Sequence, residues 1–303
     1  MDVQHYFIFN PAAGAKNARE KLQSQLQKLD GVPYTLLITG RVGDAAKLVR
    51  EVCEHETGLL RFYACGGDGT LGEVAQGAQG FPNAAVGVWP CGSGNDYARM
   101  YGGAERFLDL NRQVMAPTTL VDLIRVNDRM AINVVNLGLE AHAANTMLRF
   151  RRHPLLGGKR AYFVGVASAL TSGLKTRCTL TVDGQPFFEG VLLTAAFASG
   201  QYIGGGFHCA PEAHNDDGLL DLALVLPFPR LKLLKLLPIY KKGEHLNHPA
   251  FEGHLRYLKA GRVQIACEKE TTLCLDGEII RGSEFTIEML PRAVRFILPE
   301  MPA

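Results

Sequence analysis

No uncharged apolar run in this 303-residue chain approaches the ~20 residues that a membrane-spanning helix needs. Residues Met1 to Asn10 show no basic stretch followed by an apolar core and a cleavage site, so no secretory signal is expected and the protein should be cytosolic. An excess of one charge is missing too. The 32 Lys and Arg against 30 Asp and Glu leave a formal net charge of +2, which gives no field for nonspecific nucleic-acid binding. Any anionic partner has to be met locally. The seven cysteines are odd in number, scattered and never spaced as C-x-x-C, which excludes a disulfide framework or a cysteine zinc site and suits a reducing compartment. The nine histidines show no metal-ligand spacing, and neither a Walker motif nor a protein-kinase signature occurs. There is no internal repeat, low-complexity segment or long linker in a chain long enough for two domains.

What is present first is alternation of strand and helix. Tyr6 to Phe9, Tyr34 to Ile38, Leu59 to Cys65 and Ala85 to Trp89 read as strands, separated by helices at about Lys16 to Leu29, Asp44 to His55 and Thr70 to Gln79. Short connections between them imply a parallel sheet covered on both faces, with ligand loops at the carboxyl ends of the strands. From Leu120 the period becomes that of extended chain. Strands are expected at Leu120 to Val126, Met130 to Leu137, Arg177 to Val182, Phe187 to Phe197, Leu219 to Leu226, Val263 to Cys267, Thr272 to Leu275, Phe285 to Leu290 and Val294 to Leu298. Helices interrupt at Glu140 to Arg152, Lys159 to Thr171 and Arg230 to Tyr240, and Asp183-Gly184 and Asp276-Gly277 mark hairpin turns. The expected plan is an α/β domain over 1–125 and a mainly antiparallel sandwich over 126–291, with the last strand, about 292–303, a candidate to return to the first domain.

The organising stretch is Leu59 to Gly72, LLRFYACGGDGTLG. A buried strand feeds a glycine turn that opens a helix, presenting unpaired N–H groups and a positive helix end that suit a phosphate. Asp68 would repel that phosphate, so its place in a solvent-facing turn implies a magnesium ion between them or a network of ordered water. Gly92-Ser93-Gly94-Asn95-Asp96 forms a second small-residue loop ending in a carboxylate on the same sheet edge, and NPAAG after the first strand forms a third. Asp122 shares a strand face with Leu120, Ile124 and Val126, so it either faces apolar surroundings with a partner or stays at a wetted strand end. Asp217, before Gly218, is either a polar turn residue or one carboxylate of a hard-cation site. Asp276-Gly277-Glu278 sets two acids at a hairpin turn, which suits a base that takes a hydroxyl proton and a neighbour that orients it. An Asp-Gly turn by itself tolerates Asn in place of Asp. The stretch PRLKLLKLLPIYKK, Pro229 to Lys242, is basic and amphipathic, as either a packed surface helix or a membrane-surface helix would be.

Taken together, NPAAG, GGDGT followed by Glu73, PCGSGNDYAR, NDDGLLDL and LDGE resemble the diacylglycerol kinase catalytic family, in its order and over nearly the whole chain. The resemblance implies an ATP- and magnesium-dependent lipid kinase whose α/β domain is related to NAD kinases and phosphofructokinases. It places Asn10, Gly66, Gly67, Asp68, Gly69, Thr70, Glu73, Gly92, Ser93 and Asn95 at the nucleotide, Asp68, Asp96 and Asp122 around water and magnesium, and Asp217 on a structural magnesium. Asp276 becomes the base and Glu278 its companion. Peripheral contact with a lipid surface and no nucleic acid are implied, with a homodimer left open. The alternatives are an NAD kinase-like small-molecule kinase, which shares GGDGT but would carry Asn-Glu and Thr-Gly-Ser motifs absent here, and a nucleotide-binding regulator without turnover.

Overall fold

A computed structural model describes residues 3–14, 17–150, 168 and 175–301. The expected helix over Lys159 to Thr171, like the end of the one expected to reach Arg152, lies outside the described residues.

In β1 (Val3–Phe9) the alternation of a two-sided strand is explicit. Phe7 and Phe9 pack with Leu22 and Leu26 of α1 (Ala18–Leu26), while Tyr6 and Ile8 pack with Val49 of α2 (Asp44–His55) and Val74 of α3 (Asp68–Ala78). Strands β2 (Tyr34–Ile38), β3 (Leu59–Gly66) and β4 (Ala84–Pro90) join it in the parallel order β4-β3-β1-β2. Their carboxyl ends therefore share one edge, where NPAAG, GGDGT and PCGSGND follow β1, β3 and β4. The helix after the last of these is a single turn, α4 (Asp96–Arg99), followed by a longer piece, α5 (Leu110–Met115).

The rest is mainly antiparallel. It comprises β5 (Thr118–Val126), β6 (Arg129–Ala131), β7 (Val134–Gly138), α6 (Leu139–Phe150), β8 (Thr176–Val182), β9 (Gln185–Leu192), β10 (Thr194–Ala198), the short pair β11 (Tyr202–Ile203) and β12 (Phe207–His208), β13 (Leu220–Val225), α7 (Arg230–Lys242), β14 (Leu255–Ala260), β15 (Arg262–Leu275) and β16 (Glu278–Ile297). Several expected strands differ in extent. The run expected at Met130 to Leu137 is broken at Ile132-Asn133, whose N–H groups turn to a carboxylate from the hairpin turn after Leu275. The run at Phe187 to Phe197 divides at Leu193, because β9 pairs with β8 whereas β10 pairs with β7 and β13. The four strands expected after Val263 are two long ones, each with an irregularity in register: Ala266/Thr271 in β15 and Leu290/Val294 in β16.

The β16 irregularity bears on the site. Its first part pairs with β15, and after Pro291-Arg292, with Arg292 at φ 51°, Arg295 and Phe296 pair in parallel with Ala85 and Val86 of β4. The C-terminal strand thus joins the parallel sheet, and both regions share one 14-stranded hydrogen-bonded network. Phe296 is fully buried and locked by Tyr97, Tyr101 and Phe107, its ring stacked 5.4 Å from that of Tyr101.

Candidate active site

Three loops meet at the carboxyl edge of the parallel strands. Asn10 binds the first to the third-strand turn: its Nδ2 donates to Thr70 Oγ1 at 3.1 Å while its Oδ1 accepts from Ala12 N at 2.9 Å. The Gly66 carbonyl accepts from Cys91 N and Gly92 N at 2.9 and 3.0 Å, which ties GGDGT to GSGND. The two backbones are so close that a Cβ on Gly92 would stand 2.5 Å from Gly67 Cα, so only glycine fits there. Ser93 is exposed above this contact. Asn95 sits at φ 51° with its Nδ2 donating to Gly92 O, and its buried Oδ1 has no partner among the described residues.

Asp68 is half-buried at the start of α3, and its carboxylate accepts from Tyr97 N at 3.0 Å, so the turn and the single-turn helix hold each other. Asp96 accepts from Arg99 Nε at 3.1 Å and, from the second region, Gly205 N at 2.8 Å. Burial raises both acids, and the Asp68 charge helps to push Asp96 up to about 7. The two converge on one small space: a Cβ on Gly94 would stand 2.9 Å from Asp96 Oδ2 and 3.1 Å from Asp68 Oδ2. Two carboxylates, that of Asp96 buried and that of Asp68 half-buried, facing a gap that a methyl group would fill fit a hard divalent cation with its water ligands.

The expected trio is reduced to this pair. Asp122 is fully buried, and its oxygens accept from Arg292 N and Gly218 N, both at 2.7 Å. Those amides belong to the β16 irregularity and to the NDDG turn, so Asp122 fixes the strand that returns to the parallel sheet. Among the described residues no three His, Cys, Asp or Glu side chains are placed to hold a metal together. Asp217, expected on a structural magnesium, has Lys259 Nζ 2.6 Å from its Oδ2, and the same ammonium lies 3.5 Å from Oδ2 of the buried Asp221. An ammonium already supplies the positive charge there.

Asp276 has a role the turn signal did not reveal. It and Gly277 have the positive φ of the Asp-Gly hairpin, 48° and 99°. Its half-buried carboxylate, however, is held in a nest of three successive amides: Ile132 N donates to Oδ2 at 2.7 Å, Val134 N to Oδ1 at 2.9 Å and Asn133 N to Oδ1 at 3.2 Å. Burial raises its pKa against the pull of these amides, and the charge of Asp68 adds to the rise. The hairpin rests on the opening turn of α3, where a Cβ on Gly72 would stand 3.0 Å from Asp276 Oδ2. Glu278 hydrogen-bonds Glu73, and burial with that neighbour pushes it up to about 7. Glu73 Oε2 in turn accepts from Ala45 N at 3.0 Å, so this acid faces the first turn of α2 and its Glu278 partner, away from the place expected for the nucleotide. Sequence reasoning passed over Gly205, although its signal, Gly204-Gly205-Gly206, was available.

Comparison with known proteins gives two family matches: the diacylglycerol kinase catalytic domain over residues 4–126 and the YegS C-terminal NAD kinase beta sandwich-like domain over 133–298. A protein of Bacillus subtilis named diacylglycerol kinase is 28% identical over 89% of this chain and 88% of its own length. A Serratia proteamaculans protein named a probable lipid kinase, YegS-like, is 30% identical over 94% of this chain and 91% of its own. Among solved structures, a diacylglycerol kinase from Bacillus anthracis superposes with a TM-score of 0.68 at 21% identity, covering 97% of this chain and 96% of that one. An NAD kinase from Archaeoglobus fulgidus in complex with ATP gives 0.51 at 13% identity, covering 98% and 94%. At these identities the structures speak for the fold alone. The α/β half with parallel strands and the β-rich half thus carry one family's two signatures in its order, and the chain belongs to the diacylglycerol kinase catalytic family with a YegS-type C-terminal sandwich.

Proposed function

We propose that the chain is an ATP- and magnesium-dependent lipid kinase that phosphorylates a hydroxyl of diacylglycerol or a related amphiphile. The observation that carries this reading is the convergence of Asp68 and Asp96 on the gap at Gly94, beside a hairpin whose Asp276 abuts the same glycine turn. Phosphoryl transfer needs positioning and charge neutralisation more than covalent chemistry. Magnesium held by Asp68 and Asp96 would supply that neutralisation on the phosphate oxygens. Asn10 and Thr70 hold the turn at which α3 opens, so the first amides of α3 meet the phosphates in a fixed geometry. Asn95 Oδ1, without a partner among the described residues, would accept from a nucleotide donor. A carboxylate has about four lone-pair sites, and the three amides on Asp276 leave one for the proton that an acceptor hydroxyl would give up as its oxygen bonds to the γ-phosphorus of ATP and the γ-phosphorus–oxygen bond to the departing ADP breaks. Glu278, raised by burial and by its neighbour Glu73, flanks this base.

The names of the relatives support the lipid acceptor, as does α7. Its inner face buries Leu236 and Tyr240, while Leu231 and Leu234 are 77% and 51% exposed beside Lys232, Lys235, Lys241 and Lys242, with no acid in the helix. Such a face suits an anionic lipid surface. No described helix is long and apolar enough to cross a membrane. The test offers labelled ATP with dispersed diacylglycerol, a total lipid extract or NAD. Labelled lipid identified by mass is expected; label in NAD alone, or ATP binding without transfer, overturns the reading.

A further inference from the structure

Two of the seven cysteines, all of them free thiols, face each other across a strand pair. Cys178 of β8 stands directly opposite Cys267 of β15 in an antiparallel ladder that begins at Val182 and Val263. One step beyond that start, Asp183 N donates to the opposed Arg262 O at 2.9 Å, which makes those two a hydrogen-bonded pair. Bonded and non-bonded pairs alternate along such a ladder, and Cys178 is an odd number of steps away (183 minus 178), so the cysteines form a non-bonded pair. In a pair of that kind the Cα atoms approach to about 4.5 Å and the side chains are at their closest. A disulfide accepts Cα separations of about 4.4–6.8 Å, so the backbone is already placed for one.

Both side chains are on the inner face, beside Leu180 and Val182 of β8 and Val263 and Ile265 of β15. Packing there is served by any small apolar residue, which leaves reactivity as what distinguishes sulfur. The pair differs chemically from the other five cysteines. Burial pushes Cys53 and Cys91 up to about 11 and Cys274 up to about 12, and it raises Cys65 and Cys209 as well. Hydrogen bonding between the two facing thiols raises Cys178 and holds Cys267 below the ordinary thiol value. Solvent lies close to Cys267. β16 leaves the ladder after Ala266 and rejoins at Thr271, so Cys267 is paired on its β8 side alone, and Glu268, Lys269 and Glu270 after it are exposed. Cys267 is itself 9% exposed, against 3% for Cys178.

We propose that Cys178 and Cys267 form a hydroperoxide-reactive dithiol that closes to a cross-strand disulfide between β8 and β15. The Cys267 thiolate sulfur bonds to one peroxide oxygen as the O–O bond breaks, which leaves a sulfenic acid and a hydroxide or alkoxide that takes up a proton. Cys178 sulfur then attacks the Cys267 sulfur, the S–O bond breaks, and the thiol proton leaves with the displaced hydroxyl as water. The two thiols give up two electrons and the hydroperoxide gains them. A thiol reductant reverses the bond by exchange. None of this depends on the kinase reading, and the ring closed, residues 178–267, does not contain Asp276.

The test titrates the reduced full chain with hydrogen peroxide, alkylates it in denaturant and reads the digest by mass. One linked peptide pair, Cys178 with Cys267, is expected, lighter by two hydrogens, reversed by dithiothreitol, and formed at peroxide levels that leave the other five thiols alkylated. Cys178→Val should leave a sulfenic acid on Cys267 that dimedone labels, and Cys267→Val should leave Cys178 unlabelled. The oxidised wild type should melt several degrees above the reduced form, because the bond constrains a long stretch of the unfolded chain. Linkage of another cysteine pair, linkage only when peroxide acts in denaturant, or survival of both thiols overturns the proposal. So does an oxidised form that melts lower than the reduced one, since the folded ladder would then oppose the bond.

Discussion

Replacing Asp276 by Asn tests the nest of amides more sharply than it tests a turn. A hairpin residue at φ 48° tolerates Asn as readily as Asp, so a turn role predicts no loss of stability. In the nest, Asn retains one acceptor oxygen. If that oxygen keeps the place facing Val134 N and Asn133 N, the new NH₂ group stands where Ile132 N now donates at 2.7 Å, and two donors face each other. The change removes one charge-assisted hydrogen bond, about 1.5–3 kcal/mol, and leaves a buried N–H unpaired, about 1–3 kcal/mol. A loss of roughly 3–5 kcal/mol is expected, read as a lower urea midpoint with an unchanged slope. Turnover measured below the transition should also fall, by a factor on the order of 10²–10⁴ if Asp276 is the base. The wild-type pH–rate profile should rise with an apparent pKa well above the ordinary carboxylate range, because burial raises this acid. A variant within about 0.5 kcal/mol of wild type would refute the anchoring role, as only surface substitutions are that mild.

Asp68→Asn or Asp96→Asn should abolish binding of a divalent cation, followed with Mn²⁺ by paramagnetic resonance, whereas Asp122→Asn should keep it and instead lower stability by roughly 2–4 kcal/mol; cation loss in Asp122→Asn would restore it to the metal site. Lys259→Met should destabilise the fold by leaving Asp221 buried beside an unpaired Asp217, and added magnesium should recover part of the loss, because the ammonium's place is then open. No magnesium dependence of the melting temperature in this variant would count against that account. Burial pushes Asp96, Glu140 and Glu278 up to about 7 and holds His5 and His245 down to about 4. The raised acids, Asp276 among them, lend stability that is lost as pH climbs from the ordinary carboxylate range towards about 7, whereas the buried imidazoles lose theirs as pH falls from 6.5 towards about 4; the acids outnumber the imidazoles, so metal-free stability should decline from about pH 4.5 to pH 7, and a steady rise from pH 5 to pH 8 would contradict this. Exchanging Lys232, Lys235, Lys241 and Lys242 for Gln should weaken binding to anionic vesicles and flatten its salt dependence, and unchanged binding would leave α7 a packing helix only.

Much of this protein is written locally. The strand-turn-helix units follow from apolar period and glycine placement within windows of a dozen residues, and short βα connections oblige the three phosphate-side loops to share an edge. The two Asp-Gly hairpins are equally local, since positive φ is a property of two residues, and Asp183 and Asp276 adopt it alike. What separates those two aspartates is tertiary. Asp276 meets Ile132, 144 residues away in sequence, and breaks an otherwise continuous strand there. The same holds for the acids assigned to metal: Asp68 and Asp96 face each other across a gap, Asp122 meets two amides and Asp217 meets an ammonium, though all four stand in similar loop or strand-end patterns. A carboxylate's role depends on which donor or cation lies opposite, and that neighbour is supplied by strand pairing and the β16 irregularity, which bring together residues that local pattern cannot relate.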